Sequence, residues 1–483
     1  MLERYPMSTS NQPNIVYVMC DELRWCETAC YGHPHIKTPN MTRLAKAGVR
    51  FEVGVSNCPV CMPARSLAVS GQYARSCSTG GNTAIKTVQG KGIMPQWPSP
   101  GRDHLPNQTL PETLKNAGYT TAAIGKWHIE NWPDVVGFDH WIIPAVQHAN
   151  SAQWYCENGG ELFSPPGYGL DFEAKRVGEY LQQRKADGTP FYLYYNMCPP
   201  HMPLMDAPRK YLEMYSRDDV VVRGNVDLSK PIENQTDKFL TYLWDYRFYR
   251  DQLPYTLNLP HDGFDLVDLT ALYMGLTTWV DDALGQLLDN LENTGLAENT
   301  VVVFTADHGD NLGSWGDMGK GRWNDESARV PMMVAGPGVV SNTVSNQVAS
   351  LLDWAPTFLS MAGATTPSHM PGKDLTAVLN GDVAELEQNY AIIESTHLSQ
   401  GVAVRTPQYV LGRYYDKQAG RPNIHDQVGE CFDTIADPFS LNNLVGTDLM
   451  PSNWQELSQI ITDFDKATPR LELPEYKFGR SLA

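Results

Sequence analysis

No apolar run in this chain approaches the roughly 20 residues that a helix needs to cross a bilayer, which argues against a helical membrane span. Basic residues are scarce: 37 Lys and Arg stand against 55 Asp and Glu, a formal charge of −18. A surface of that sign repels a phosphate backbone and predicts no nucleic-acid partner. An anionic small substrate must then be drawn in by a local positive site. A disulfide framework is missing as well, because nine cysteines, an odd number, are scattered over all 483 residues and read mostly as buried thiols. Internal repeats and low-complexity tracts are lacking. The polar stretch 1–13 has no basic-then-apolar leader layout, which predicts a cytoplasmic protein, or a periplasmic or secreted one if a leader has been trimmed.

What is present is apolar material in short pieces. Hydrophobic residues make up 42% of the chain, enough for a sizeable core and, at this length, for more than one domain. Residues 14–19, 121–124, 191–195 and 301–304 are short apolar runs of the kind buried on both faces of a parallel sheet. Each is soon followed by polar residues: Cys20 and Asp21, then Lys126 and His128, then His201, then Asp307, His308 and Asp310. Ligands gather beyond the carboxyl ends of strands in α/β sheets, so these four ends predict one cleft. His128 is expected on the same side as Lys126 if the strand continues that far.

Between the runs lie helical patterns. Leu272, Leu276, Val280, Leu284, Leu287 and Leu291 recur at helical spacing, and Gly295 supplies a stop. The alternation predicts an α/β fold: a large, mostly parallel sheet sandwiched by helices, with a smaller C-terminal α+β domain. A boundary near residues 380–386 divides the chain into a catalytic part, 1–380, and a smaller part, 381–483. Residues 203–260, rich in Tyr, Trp, Arg and Asp, read as a packed surface insertion rather than a substrate-shaping lid.

The most specific motif is Cys61-Met62-Pro63-Ala64-Arg65, which fits C-x-P-x-R. Its neighbourhood, residues 31–40 and 43–51, together with 113–128, 305–310, 352–357, 371–375 and 431–438 followed by Asn443 and Leu444, resembles the type I sulfatases of the alkaline-phosphatase-like superfamily, in the family's order and over nearly the whole chain. Cys58 and Cys61 also form a C-x-x-C pair, but neither a small βαβ redox unit nor a second cysteine pair for structural zinc accompanies it.

The resemblance implies a sulfatase that hydrolyses a sulfate ester to an alcohol and inorganic sulfate. Cys61 is then oxidised by a formylglycine-generating enzyme to formylglycine, whose hydrate supplies an oxygen nucleophile. It implies one divalent metal held by Asp21, Glu22, the modified Cys61, Asp307 and His308; Glu22 departs from the Asp or Gln common at its position. Oxygen-rich ligands suit Ca2+ or Mg2+, and His308 pulls towards Mn2+; Ca2+ is the first choice, with Mn2+ or Mg2+ as alternatives. Arg65 holds the nucleophile, Lys126 and Lys320 grip sulfate oxygens, His128 acts as a base, and His201 protonates the leaving alcohol or binds sulfate. Arg322 and Trp323 follow Lys320 closely and read equally as substrate contacts or as a solvated charge and a packing aromatic. The substrate is small and sulfated: a sugar, aryl or alkyl sulfate. Two rival readings stand beside this one. One is a phosphonate monoester or phosphodiester hydrolase using the same site, and the other a non-catalytic binder of sulfated ligands.

Overall fold

The computed structural model describes residues 12–78, 101–102, 104–145, 148–244, 258–395, 401–416, 423–424 and 426–471. The four apolar runs are adjacent strands at the centre of a nine-stranded sheet. In spatial order it runs β11 (Thr343–Ser345), β2 (Val49–Phe51), β10 (Met332–Ala335), β8 (Thr300–Ala306), β1 (Asn14–Asp21), β7 (Phe191–Pro200), β4 (Thr120–Gly125), β5 (His140–Pro144) and β6 (Tyr155–Glu157). From β8 through β1, β7 and β4 to β5 every neighbour is parallel. The margins are mixed, because β10 is antiparallel to β8 and β2, and β6 is antiparallel to β5.

Helices cover both faces, as the two-sided burial of β1 and β7 requires. Tyr17 and Tyr192 pack on Phe358 of the helix Trp354–Met361, with ring centroids 5.4 and 6.2 Å away. On the other face the helices Gly169–Asp187 and Leu266–Thr294 lie along β7. The second of these extends the predicted apolar stripe at both ends. Asp265 caps its start by accepting from Val267 N and Asp268 N, and Gly295 ends it at φ 74°, a conformation that suits glycine.

A small sheet joins β12 (Ala349–Ser350), β3 (Gly54–Val55) and β9 (Arg329–Val330). Towards the C-terminus comes the expected smaller α+β unit. It is an antiparallel sheet of β13 (Ala391–Ser395), β14 (Gly401–Arg405), β15 (Tyr409–Asp416) and β16 (Asn423–Ile424), with β17 (Glu430–Asp433) also pairing with β15. Leu457, Ile461 and Phe464, one stripe of the helix Trp454–Ala467, share a hydrophobic cluster with Val402, Val404 and Leu411.

Within the segment 203–260, residues 217–231 are largely exposed and the helix Gln235–Trp244 packs inward. Phe239, Tyr242 and Leu243 of the helix Gln235–Trp244 are buried in the main core, while 245–257 lie outside the described residues. No helix among the described residues is long and apolar enough to cross a membrane.

Candidate active site

Asp21, Lys126, His201, Asp307 and His308, all expected at strand ends, come together at the carboxyl edge of the sheet, whereas Cys20 turns its Sγ to Thr305 O within it. Asp21 is the last residue of β1, and Asp307 directly follows β8, extending the ladder by donating its backbone N–H to Cys20 O at 3.1 Å. Between Cys20 and Asp21 the pairing with β7 shifts register, which bends the chain out of the sheet. Glu22 then sits at φ 65°, a strained position for a residue with a Cβ. Two bonds hold it there: Glu22 N–H donates to Asp307 Oδ1 at 3.1 Å, and Tyr273 Oη donates to Glu22 O at 2.5 Å.

Cys61 opens the helix Cys61–Ser70, whose residues are all buried, and Arg65 lies one turn along the same face. Arg65 Nε donates to Asp307 Oδ2 at 2.9 Å and Nη1 to Asn196 Oδ1 at 2.8 Å, while Nη2 lies 3.6 Å from Asp21 Oδ2. The Cys61 Sγ is 3.1 Å from His308 Nε2, 3.6 Å from Asp21 Oδ1 and 3.1 Å from Lys320 Nζ. His308 directs Nδ1 at Gly309 O, 2.8 Å away. With the proton on Nδ1, the Nε2 lone pair faces the thiol and both aspartates.

Lys126 and His128 arrive differently from the sequence expectation. The strand does not continue through them: β4 ends at Gly125, at φ 93°. A Cβ there would stand 1.9 Å from Asn196 O, so only glycine permits the turn. Beyond it Lys126 N–H donates to Asn196 O at 3.1 Å, and Lys126 Nζ pairs with Asp21 Oδ2. His128 adopts φ 49° and is buried, with neither ring nitrogen hydrogen-bonded among the described residues. His201 follows β7; its Nε2 lies 3.2 Å from Glu22 Oε2 and its Nδ1 2.7 Å from Met202 O. The other Glu22 oxygen is 3.1 Å from Lys320 Nζ.

The electrostatics follow from burial and pairing. Burial and then Asp21 push the Cys61 thiol up to about 11, so as a cysteine it is protonated at neutral pH and a poor nucleophile. Burial alone would raise Asp21, yet Lys126, His201 and Lys320 outweigh it and hold the carboxyl well below its usual range. Burial and then Lys126 lower His128, and burial and then Lys320 lower His201. Behind the Gly125 turn, burial pushes Glu173 up to about 8. That carboxyl accepts from Tyr155 Oη at 2.9 Å, and its Oε2 would lie 3.1 Å from a Cβ on Gly125.

Among the described residues two groups of potential metal donors emerge. Ligand atoms of Asp21, Cys61, Asp307 and His308 all lie within 4.8 Å of one another and are fully buried, and Asp21, Glu22 and His201 form a second such group. Trp323 is a packing aromatic: it is 2% exposed, and its Nε1 donates to Glu430 Oε2 at 2.8 Å. Arg322 pairs with Asp317 at 3.2 Å and is partly solvated.

Sequence reasoning missed Asn196 and His148. Asn196 was visible as the lone amide in an apolar run, because a polar side chain in a doubly buried strand needs a partner. His148 carried no motif; its ring stacks on His201 with centroids 4.0 Å apart.

Comparison with known proteins agrees with this geometry. The sulfatase family profile matches residues 13–364, and the profile described as N-sulphoglucosamine sulphohydrolase, C-terminal, matches residues 313–467. The chain is 27% identical to an ulvan-active sulfatase of Formosa agariphila, over 97% of this chain and 86% of that one. It is also 27% identical to an N-acetylglucosamine-6-O-sulfatase of Bacteroides thetaiotaomicron, over 95% and 87%. A solved structure of a protein in complex with its substrate D-glucosamine-2-N,6-O-disulfate matches with a TM-score of 0.77 at 25% identity, covering 94% of this chain and 98% of that one. The family profile runs unbroken from before Asp21 to beyond Lys320, and the relatives span almost the whole chain: it belongs to the sulfatase family, with the alkaline-phosphatase-like fold, and is a sulfuric ester hydrolase.

Proposed function

We propose that the chain removes sulfate from a sulfated sugar, with Cys61, once oxidised to formylglycine, at the reacting centre. The observation that carries this reading is the convergence of Asp21, Asp307 and His308 on Cys61, with Lys320 Nζ 3.1 Å from its sulfur. The sugar is suggested by the relatives, named for ulvan and for N-acetylglucosamine-6-O-sulfate, and by the neighbour solved with a disulfated glucosamine.

The donor set fits a divalent cation: two carboxylates and an imidazole nitrogen, all buried, with the residue at position 61 beside them. Asp21, Asp307, His308 and the modified Cys61 would hold it. Glu22 is the fifth candidate ligand, with its oxygens facing Lys320 and His201. Carboxylate oxygens favour Ca2+, with Mn2+ or Mg2+ as alternatives. Such an ion neutralises sulfate oxygens and favours ionisation of the nucleophile, and formylglycine supplies the oxygen nucleophile that a thiol raised to about 11 does not.

The remaining work falls to side chains already in place. Arg65, clamped by Asp307 and Asn196, holds the nucleophile's position. Lys126 and Lys320 bring positive charge to the sulfate oxygens, which an anionic ester needs before another anion can approach. In this reading His128 takes a proton near residue 61, and His201 protonates the leaving alcohol or binds sulfate. In the same reading residues 1–380 form the catalytic part and 381–483 the smaller one, supported by the separate hydrophobic cluster under β14 and β15.

Two measurements test the reading. Mass spectrometry of the Cys61 peptide, from protein co-produced with a formylglycine-generating enzyme, should show the aldehyde; an unmodified thiol would favour a binder of sulfated ligands. Parallel kinetics on sulfated sugars, an aryl sulfate and a phenyl phosphonate ester should show sulfate release from the sugars dominating. Dominant phosphonate hydrolysis would overturn it.

A further inference from the structure

His148 lies beyond the carboxyl end of β5, the parallel neighbour of β4. The sheet therefore brings it to the same edge as Lys126 and His128. Its ring stacks on His201 at a centroid distance of 4.0 Å and an interplanar angle of 29°, and stands 6.1 Å from the ring of His128. All three imidazoles are buried.

The residues that follow His148 are held by hydrogen bonds. Asn150 N–H and Ser151 N–H donate to Asp206 Oδ2 at 2.7 and 2.9 Å. Gln153 Nε2 donates to Ala149 O at 2.7 Å, and Gly169 N–H to Asn150 O at 2.5 Å. His201, by contrast, is held along one edge, by Nδ1 at Met202 O and by Nε2 at Glu22. An imidazole gripped only at its edge can tilt about the line joining its two nitrogens. A ring packed flat on its face blocks that tilt.

We propose that His148 is a positioning residue: by stacking on His201 it fixes the ring plane and so the line along which Nε2 meets the substrate. This rests on the role given to His201 under the proposed function. His148 itself exchanges no proton in that step.

The test compares His148→Ala, His148→Phe and His148→Asn with the unmutated enzyme by two readouts. Crystal structures report the His201 ring directly, without substrate. In His148→Ala and His148→Asn the ring should tilt or split into two conformers, and in His148→Phe it should keep its plane. Kinetics on D-glucosamine-2-N,6-O-disulfate and 4-nitrophenyl sulfate should show kcat falling by about 10- to 100-fold in the Ala and Asn variants at nearly constant KM. His148→Phe should recover most of that loss. An unchanged His201 plane in His148→Ala, or a Phe variant no better than Ala, overturns the proposal. His201→Ala, run beside them, separates the two claims: full activity there removes the role given to His201, whereas the ring plane in the His148 variants still decides the stack.

Discussion

Lys320 Nζ stands 3.1 Å from Cys61 Sγ and 3.1 Å from Glu22 Oε1. One ammonium thus spans Cys61 and the acid beyond β1. Cys61, Glu22 and Asp21 outweigh the burial that would lower it, so its charge is retained. Replacing it by a neutral chain of similar length removes a fixed positive charge from the sulfate site. Lys320→Met should lower kcat/KM for the sulfated sugar by roughly 10²- to 10³-fold while melting at nearly the same temperature. A loss under about threefold would show that Lys320 is not at the reacting centre.

Asn196 supports Arg65 from behind. Its Oδ1 accepts from Arg65 Nη1 at 2.8 Å, and both side chains are buried. Asn196→Ala leaves Nη1 only its longer bond to Lys126 O, at 3.4 Å, a loss of about 1–3 kcal/mol in stability. Urea unfolding of the variant measures it; an unchanged midpoint would mean that the amide does not bear on Arg65.

Glu173 gives a pH signature of definite sign. Its folded pKa of about 8 exceeds the ordinary 4.5, so between those values the unfolded chain ionises the carboxyl and the folded chain keeps it protonated. The stability tied to this group is whole below pH 4.5 and is lost as pH rises towards 8, at about 1.4 kcal/mol per pH unit. Glu173→Gln removes the term and keeps an acceptor for Tyr155. Relative to wild type, the variant should therefore gain stability steadily from pH 5 to pH 8 in paired unfolding curves. Parallel curves would place the carboxyl in a wetter environment.

Metal removal should act on folding as well as on turnover. Protein treated with EDTA should lose sulfatase activity and melt at a lower temperature, and added Ca2+ should restore both. An ion present at 100 times its Kd stabilises by about 2.7 kcal/mol. In Asp307→Asn the thermal shift with Ca2+ should shrink or vanish. Restoration by Mn2+ and not by Ca2+ would reassign the ion.

The sequence revealed the centre of the sheet better than its edges. Residues 14–19, 121–124, 191–195 and 301–304 are apolar because strands there are buried on both faces, and that demand leaves a plain trace. The antiparallel margins are strands of three to five residues, such as Tyr155–Glu157 and Met332–Ala335, too short for a period to show. Asp21, Cys61, Asp307 and His308 were found through motifs, and the fold brings them together. The strand argument for His128 failed for a backbone reason, the left-handed turn at Gly125. His148 stayed hidden because its partner His201 is 53 residues away and the stack depends on β5 and β7 flanking β4 in the sheet.

Trp323, three residues past Lys320, is wedged into the C-terminal sheet. Its ring lies 5.0 Å from that of Tyr414, and a Cβ on Gly412 would come within 2.6 Å of it. The lobe that looks like an appendage therefore braces the loop bearing the lysine that stands 3.1 Å from Cys61 Sγ. For protein engineering this limits modularity: exchanging residues 391–471 for another cap should disturb turnover before it disturbs solubility, unless the graft preserves a glycine opposite Trp323 and a carboxylate for its indole. Selection on the chemistry can thus reach a position such as Gly412, which never meets the substrate.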